Sequence, residues 1–324
     1  MAGRAEEIAD FLASVGWKTS RRQAFDADFS PRRYARLTKA DGTTAILMDA
    51  DAAQNTPAFV ALGALLHATG VRAPEIYAAN PIKGLVLMED FGAYNVGVLL
   101  DRGADPVPYF KKAVLILAHL HKNLDMPALQ ACAVPKCDTP FLIQKASQFV
   151  DFYLPYARGR TATPEERAGF SAAWESVLRP LESLPQTLCL RDFMADNLME
   201  LADGSLGVLD FQDGGIGCIA YDLASLCEEV RRDGGFKRLS DCITLYRTTT
   251  GTPLSEKELL RACTIFSAQR HTRILGLLAS RMSDTTAHRD TQGFLPRTRA
   301  HWLKLLENPA LDPVRAWVTQ AGVL

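Results

Sequence analysis

The stretch Leu190-Arg191-Asp192-Phe193-Met194-Ala195-Asp196-Asn197-Leu198-Met199-Glu200-Leu201, followed by Asp203-Gly204 and Leu206-Gly207-Val208-Leu209-Asp210-Phe211-Gln212-Asp213, decides the fold. Asp-Gly between two apolar runs predicts a β-hairpin closed by a two-residue type I′ turn. With Asp203 and Gly204 at the centre, Ala202 faces Ser205 and, counting outward, Asn197 faces Asp210. Directly opposed residues lie about 4.5–5.5 Å apart at Cα and share one face of the ladder. An amide oxygen and a carboxylate would converge there. Such an all-oxygen pair suits Mg²⁺, which takes few protein ligands and keeps waters and phosphate oxygens. Asp192 lies five residues before Asn197 on the connecting loop, placed to accept a proton from a hydroxyl nucleophile. Taken singly, Asn197 and Asp210 also fit strand-ending turn residues and Asp192 a solvated loop acid. The three together point to chemistry.

Upstream of this hairpin, Ile8, Phe11, Leu12 and Val15 recur at helical spacing and stop at Gly16. Short β-type runs follow at 34–38, 44–48 and 84–88, with a helix between the last two. Thr56 is its expected cap, Pro57 suits its first turn, and Phe59, Leu62, Leu65 and Leu66 form its apolar face. After Phe91-Gly92 the segments 107–123, 141–156, 164–184, 221–232, 256–282 and 296–306 read as helices, with one β island at 187–211. The layout is α+β: a small β-rich lobe over residues 1–91 and a large, mainly helical lobe over 92–324 that carries the hairpin.

Composition narrows the function classes. The chain has 324 residues, of which 48% are hydrophobic and 23% charged, and a formal net charge of -1. That balance gives no reason to expect nucleic acid or an anionic membrane as partner. No run approaches the ~20 apolar residues of a membrane span. Residues 1–7 carry two acids and no apolar run, which predicts no secretory signal. Seven scattered cysteines without a Cys-x-x-Cys pair read as reduced thiols of a cytoplasmic protein. His119 and His121 are two apart on a helix and cannot share a metal as i, i+4 ligands would.

The spacing Asp192, Asn197, Asp210 resembles the catalytic and metal-binding loops of the aminoglycoside and choline phosphotransferases, which share the protein-kinase-like fold. The likeness extends to Asp26-Ala27-Asp28-Phe29-Ser30-Pro31-Arg32-Arg33-Tyr34, Met88-Glu89-Asp90-Phe91-Gly92, Tyr221-Asp222-Leu223-Ala224-Ser225-Leu226 and Gln269-Arg270-His271. Together these look like the branch of anomeric amino-sugar kinases, which phosphorylate N-acetylmuramate and N-acetylglucosamine at the 1-hydroxyl. The resemblance implies a bilobal enzyme using ATP and Mg²⁺ on a small-molecule hydroxyl acceptor; no obligatory protein partner is evident in the sequence. It implies Asp192 as catalytic base, and Asn197 and Asp210 as metal ligands. The turn with Phe29 and Ser30 would cover the phosphates, and the backbone of residues 88–91, including Glu89 and Phe91, would meet adenine. Asp213 would reach a second Mg²⁺ or the substrate, or merely cap the next turn. Asp222 is expected to brace the catalytic loop or start a helix.

Three departures accompany the likeness. Leu190 stands where the family usually has a structural His. No Gly-x-Gly-x-x-Gly precedes the Arg-Arg-Tyr strand, and no Lys occurs in Ala45-Ile46-Leu47-Met48. Arg32 or Arg33 is the expected substitute for that positive charge, unless both are solvated strand residues. For the acceptor, residues 261–304 hold Arg261, Arg270, Arg273, Arg281, Arg289, Arg297, Arg299 and Lys304 against Asp284 and Asp290. In the family this part of the large lobe helps build the acceptor pocket, so Arg270 is a substrate candidate. A basic excess suits a neutral or carboxylate-bearing sugar better than a polycationic aminoglycoside. A kinase of another small alcohol, a catalytically silent nucleotide-binding regulator and a metal-dependent hydrolase remain open as alternatives.

Overall fold

The computed structural model describes residues 3–25, 32–51, 54–228, 230–232, 238–282 and 288–324, the last segment with side chains from 293 onward. The expected Phe29 and Ser30 lie outside the described residues. The strands are β1 (Arg21–Ala24), β2 (Arg33–Thr38), β3 (Thr44–Asp49), β4 (Ile76–Asn80), β5 (Leu85–Met88), β6 (Gln186–Cys189), β7 (Leu198–Glu200), β8 (Leu206–Val208) and β9 (Gly215–Cys218). The helices through the middle of the chain are α1 (Arg4–Ser14), α2 (Thr56–Ala68), α3 (Val96–Asp101), α4 (Pro106–Asn123), α5 (Met126–Ala131), α6 (Thr139–Ala146), α7 (Leu154–Arg158) and α8 (Pro164–Leu178). After the hairpin come α9 (Ala220–Cys227), α10 (Leu239–Thr250), α11 (Glu256–Ser280), α12 (His288–Leu306) and α13 (Asp312–Gln320). The chain forms two compact units. One comprises Met1–Pro106, Asp125–Val134 and Ala195–Asp213; the other comprises Val107–Leu124, Pro135–Met194 and Gly214–Leu324.

The first unit is built on an antiparallel sheet in the order β1-β2-β3-β5-β4. Its core joins Ile8, Phe11, Leu12 and Trp17 to Leu37, Ala45, Leu47, Leu85 and Leu87, so the apolar face of α1 covers one side of the sheet. β1 has no apolar alternation to betray it. All four of its residues are exposed, and it exists as an edge strand because β2 offers it a ladder. α2 begins one residue before its expected cap: Asn55, at φ +44°, accepts a hydrogen bond from the Ala58 amide, and Thr56 is already helical. Asn tolerates the left-handed region better than Thr, whose β-carbon branches.

The β island at 187–211 resolves into two ladders. β6 pairs with β9 in the second unit, while β7 pairs with β8 in the first. The β7–β8 register is Leu198–Val208, Met199–Gly207 and Glu200–Leu206, one residue out from the expected pairing. The cause lies in the turn. Leu201 accepts from the Gly204 amide at 2.9 Å and donates to the Ser205 carbonyl at 3.0 Å, which leaves three loop residues rather than two. Gly204 takes φ +77°, and Asp203 Oδ1 accepts from both the amide (2.8 Å) and the hydroxyl (2.6 Å) of Ser205. A three-residue loop ending in the left-handed region is the next most common hairpin closure after the two-residue turn.

In the second unit an aromatic cluster surrounds Phe149, with Tyr153 at 4.8 Å, Trp302 at 5.1 Å and Phe170 at 6.2 Å between ring centroids. The segment expected as one helix over 141–156 is interrupted by a π-helical turn at Phe149–Tyr153, and α11 packs there. The Trp302 indole donates to Thr272 Oγ1 at 2.8 Å, which satisfies its buried N–H. His121 is a packing residue: its Nδ1 meets the Tyr246 hydroxyl at 2.7 Å, and burial pushes its pKa down to about 3. The cysteines are free thiols, all buried except the half-buried Cys132. No described helix is long and apolar enough to cross a membrane.

Candidate active site

In the second unit, β6 ends at Cys189 and the chain turns through Leu190, Arg191 and Asp192. Arg191 adopts φ +72°, a left-handed conformation that a non-glycine residue holds only when its surroundings impose it. Those surroundings are explicit. Asp222, on α9, accepts from the Leu190 amide at 2.6 Å and the Arg191 amide at 2.9 Å. The Arg191 carbonyl accepts from Ser225 Oγ at 3.2 Å and from the Arg270 guanidinium. The Arg191 side chain lies 5.1 Å from the centre of the Phe141 ring. Burial pushes the Asp222 pKa up to about 6, against the pull of the two amides. Leu190 is buried in this arrangement and contributes its backbone N–H to Asp222.

Asp192 stands next in the chain, its side chain 28% exposed. Burial raises its pKa, but the charges of Arg273, Arg270 and Arg191 outweigh this and hold it below the ordinary carboxylate range. Arg270 Nη2 is 3.4 Å, and Arg273 Nη1 4.0 Å, from Asp192 Oδ1. The expected substrate residue Arg270 is therefore placed behind the loop, bonded to the Arg191 carbonyl and stacked 5.4 Å from the Tyr221 ring centre.

In the first unit, Asn197 closes a short 3₁₀ turn (Ala195–Asn197) and Asp210 follows β8. By the observed register Asn197 faces Leu209, whose amide donates to the Asn197 carbonyl at 2.8 Å. The side chains of Asn197 and Asp210 still meet, with Nδ2 donating to Oδ2 at 3.4 Å. Asp210 reaches across because it takes φ +57°, which swings its side chain away from the strand's alternation. Gln212 Nε2 holds the other Asp210 oxygen. Phe211 anchors the segment, stacked on Phe59 of α2 with centroids 4.9 Å apart. Burial and then the charges of Asp210 and Asp213 raise the Tyr34 pKa, so both carboxylates act on its hydroxyl, while Arg32 opposes them.

The donor set fits a hard cation. Turning the Asn197 amide by 180° would bring Oδ1 rather than Nδ2 toward Asp210 Oδ2, and an amide oxygen beside a carboxylate oxygen is a donor pair that suits Mg²⁺. Asn197 and Asp210 are the residues that could hold it. Among the described residues no group of three or more His, Cys, Asp or Glu forms a metal site.

The remaining expected residues are placed as follows. Arg32 is buried and donates from Nη2 to the Gln54 carbonyl at 2.9 Å. Arg33 is paired with Asp49 at 3.0 Å and Asp51 at 3.6 Å, and the buried Asp49 also holds Arg4 at 2.6 Å. Glu89 makes a two-pronged ion pair with Arg72, and its amide donates to the Glu75 carbonyl at 2.8 Å. The Phe91 ring packs against Gly207, where any β-carbon would collide with it, and lies 5.1 Å below the Arg72 guanidinium. Gln212, Tyr34 and Arg273 escaped selection from the sequence as site residues. Gln212 and Tyr34 stand in the quoted motifs and Arg273 among the basic residues of 261–304, but nothing local singled them out from their neighbours.

A small antiparallel-sheet unit with a helical unit carrying a loop aspartate is the build of the kinase-like phosphotransferases. Residues 21–251 match the phosphotransferase enzyme family, and the chain belongs to that family as a small-molecule kinase. It is 27% identical to an N-acetylmuramate/N-acetylglucosamine kinase of Caulobacter vibrioides, over 95% of this chain and 94% of that one. It is 30% identical to an N-acetylmuramate/N-acetylglucosamine kinase of Pseudomonas aeruginosa, over 78% of this chain and 74% of that one. A choline/ethanolamine kinase family protein from Mesorhizobium loti shares the fold at a TM-score of 0.64 and 16% identity, covering 98% and 99% of the two chains.

Proposed function

We propose that this chain is a cytoplasmic amino-sugar kinase that transfers the γ-phosphoryl group of ATP to the anomeric hydroxyl of an N-acetylated sugar. The observation that carries the reading is an ionised, partly exposed Asp192 on a braced loop with arginines around it. The names of the relatives supply the sugar class. Guanidinium groups beside the acceptor position repel a quaternary ammonium or polycationic acceptor and tolerate a neutral or anionic sugar.

Phosphoryl transfer asks for positioning and charge neutralisation more than covalent work by the protein. Asp192 accepts a hydrogen bond from the acceptor hydroxyl, orients it and takes its proton as the new P–O bond forms and the bond from the γ-phosphorus to the β,γ-bridging oxygen breaks, with ADP as the leaving group. Asp222, Ser225 and Arg270 keep the loop from relaxing, so Asp192 needs no reorganisation at that moment. Asn197 and Asp210 would hold Mg²⁺, which would supply positive charge against the nucleotide phosphates. Arg32 adds positive charge for the phosphates, Arg33 being paired with Asp49 and Asp51, and the backbone of residues 88–91 receives adenine. The test is ATP consumption with N-acetylated sugars, choline-like alcohols and aminoglycosides, with the product position read by phosphorus NMR. An anomeric phosphate is expected; turnover confined to choline or aminoglycosides would overturn the reading.

A further inference from the structure

Arg270 and Arg273 lie three residues apart on α11, and both face Asp192, but they are not equivalent. Arg270 is buried, and its guanidinium is committed to the Arg191 carbonyl, to Asp192 and to the face of Tyr221. Arg273 keeps 23% of its side chain exposed, and its Nη1 is 4.0 Å from Asp192 Oδ1, too long for a hydrogen bond. A solvent-touching guanidinium thus pairs with the oxygen assigned to receive the acceptor's proton through charge alone, with no hydrogen bond between them. Among the described residues whose charges act on Asp192 and Asp222, the cations Arg191, Arg270 and Arg273 outnumber these two carboxylates. The excess charge favours an acceptor that brings an anion of its own, and the planar guanidinium fork matches a carboxylate.

We propose that Arg273 reads a carboxylate on the acceptor and is the residue that favours a carboxylate-bearing amino sugar over a neutral one. The inference rests on the amino-sugar reading above. The two sugars in the relatives' names make the comparison clean, since N-acetylmuramate carries a carboxylate that N-acetylglucosamine lacks. Arg270, by contrast, is a positioning residue that acts through the loop.

The experiment compares wild type, Arg273→Gln and Arg273→Lys in steady-state kinetics with both sugars, and in calorimetric binding of each sugar without nucleotide. Arg273→Gln is expected to raise KM for N-acetylmuramate about 10–100-fold, as loss of one partner of a charge pair does. KM for N-acetylglucosamine and for ATP should stay nearly unchanged, and Arg273→Lys should recover part of the loss. An equal loss with both sugars, or an altered pH profile with unchanged KM, would overturn the inference and leave Arg273 as a modulator of Asp192. Turnover of neither sugar by wild type overturns the functional reading instead. Calorimetry then decides the inference separately: tighter N-acetylmuramate binding by wild type than by Arg273→Gln upholds it, and equal or absent binding defeats it.

Discussion

Asp192 and Asp222 lie in one loop environment yet are driven in opposite directions. Burial raises Asp222 to about 6, whereas three guanidiniums hold Asp192 low. Asp192 therefore stays ionised well below neutrality, and the acid limb of activity is expected to follow Asp222. As the pH falls through about 6, Asp222 gains a proton and gives up part of its hold on the Leu190 and Arg191 amides. Rate–pH profiles should show kcat declining with a midpoint near 6, and Asp222→Asn should be slow even at pH 8. For stability the sign is the reverse. The folded value of about 6 lies above the ordinary 3.8, so the folded state holds this proton more tightly. The contribution is fully present below 3.8 and is lost as the pH rises through about 6, on the order of 3 kcal/mol. Urea melts of Asp222→Asn should lack that slope, and an unchanged slope would count against the assignment. Replacing Asp192, the proposed base, is simpler. Asp192→Ala should lower kcat by about 10²–10⁴-fold with ATP still bound, and normal turnover would remove Asp192 from the mechanism.

At the scale of elements, the β7–β8 hairpin depends on one backbone conformation and one stacked ring. Gly204→Val would force a β-branched residue into φ +77°, costing about 1–2 kcal/mol. A thermal midpoint lower by a few degrees should follow. Phe211→Ala would empty the space against Phe59 and Gly63, at about 3–5 kcal/mol. Because Phe211 follows Asp210 directly, this variant should also need more Mg²⁺ for half-maximal rate, read by titration after chelation. The hairpin was legible from Asp203-Gly204, but its register was not. A dipeptide signals a turn without counting its residues, and the choice between two and three loop residues rests on Leu201 bonding to both Gly204 and Ser205. β1 was invisible for another reason: an exposed edge strand carries no burial pattern to read.

Over the whole molecule, neither compact unit is one continuous stretch of chain. The 195–213 segment completes the unit that begins at the N-terminus, through the Phe211–Phe59 stack and the Val208 amide donating to the Arg72 carbonyl at 2.8 Å. A fragment ending at residue 106 lacks both contacts and leaves Phe59 uncovered. Its circular dichroism should show a weakly cooperative thermal transition, whereas a sharp one would mean that the sheet and α2 suffice alone. Asp192 and Asn197 are five residues apart in sequence yet fall in different units, so the short loop between them belongs to both halves of the chain's organisation.

The sequence by itself determined the α+β layout, the loop acid Asp192 and the oxygen pair Asn197 and Asp210, because turn residues and hydrophobic periodicity act locally. Only the tertiary structure decided how Asn197 and Asp210 meet. The ladder is one residue out, and a left-handed Asp210 restores the approach that the register alone would have denied. It also decided that Arg270 is spent holding the loop while Arg273 keeps a face to solvent. Burial and partner choice depend on residues scores of positions away, and no local pattern encodes them.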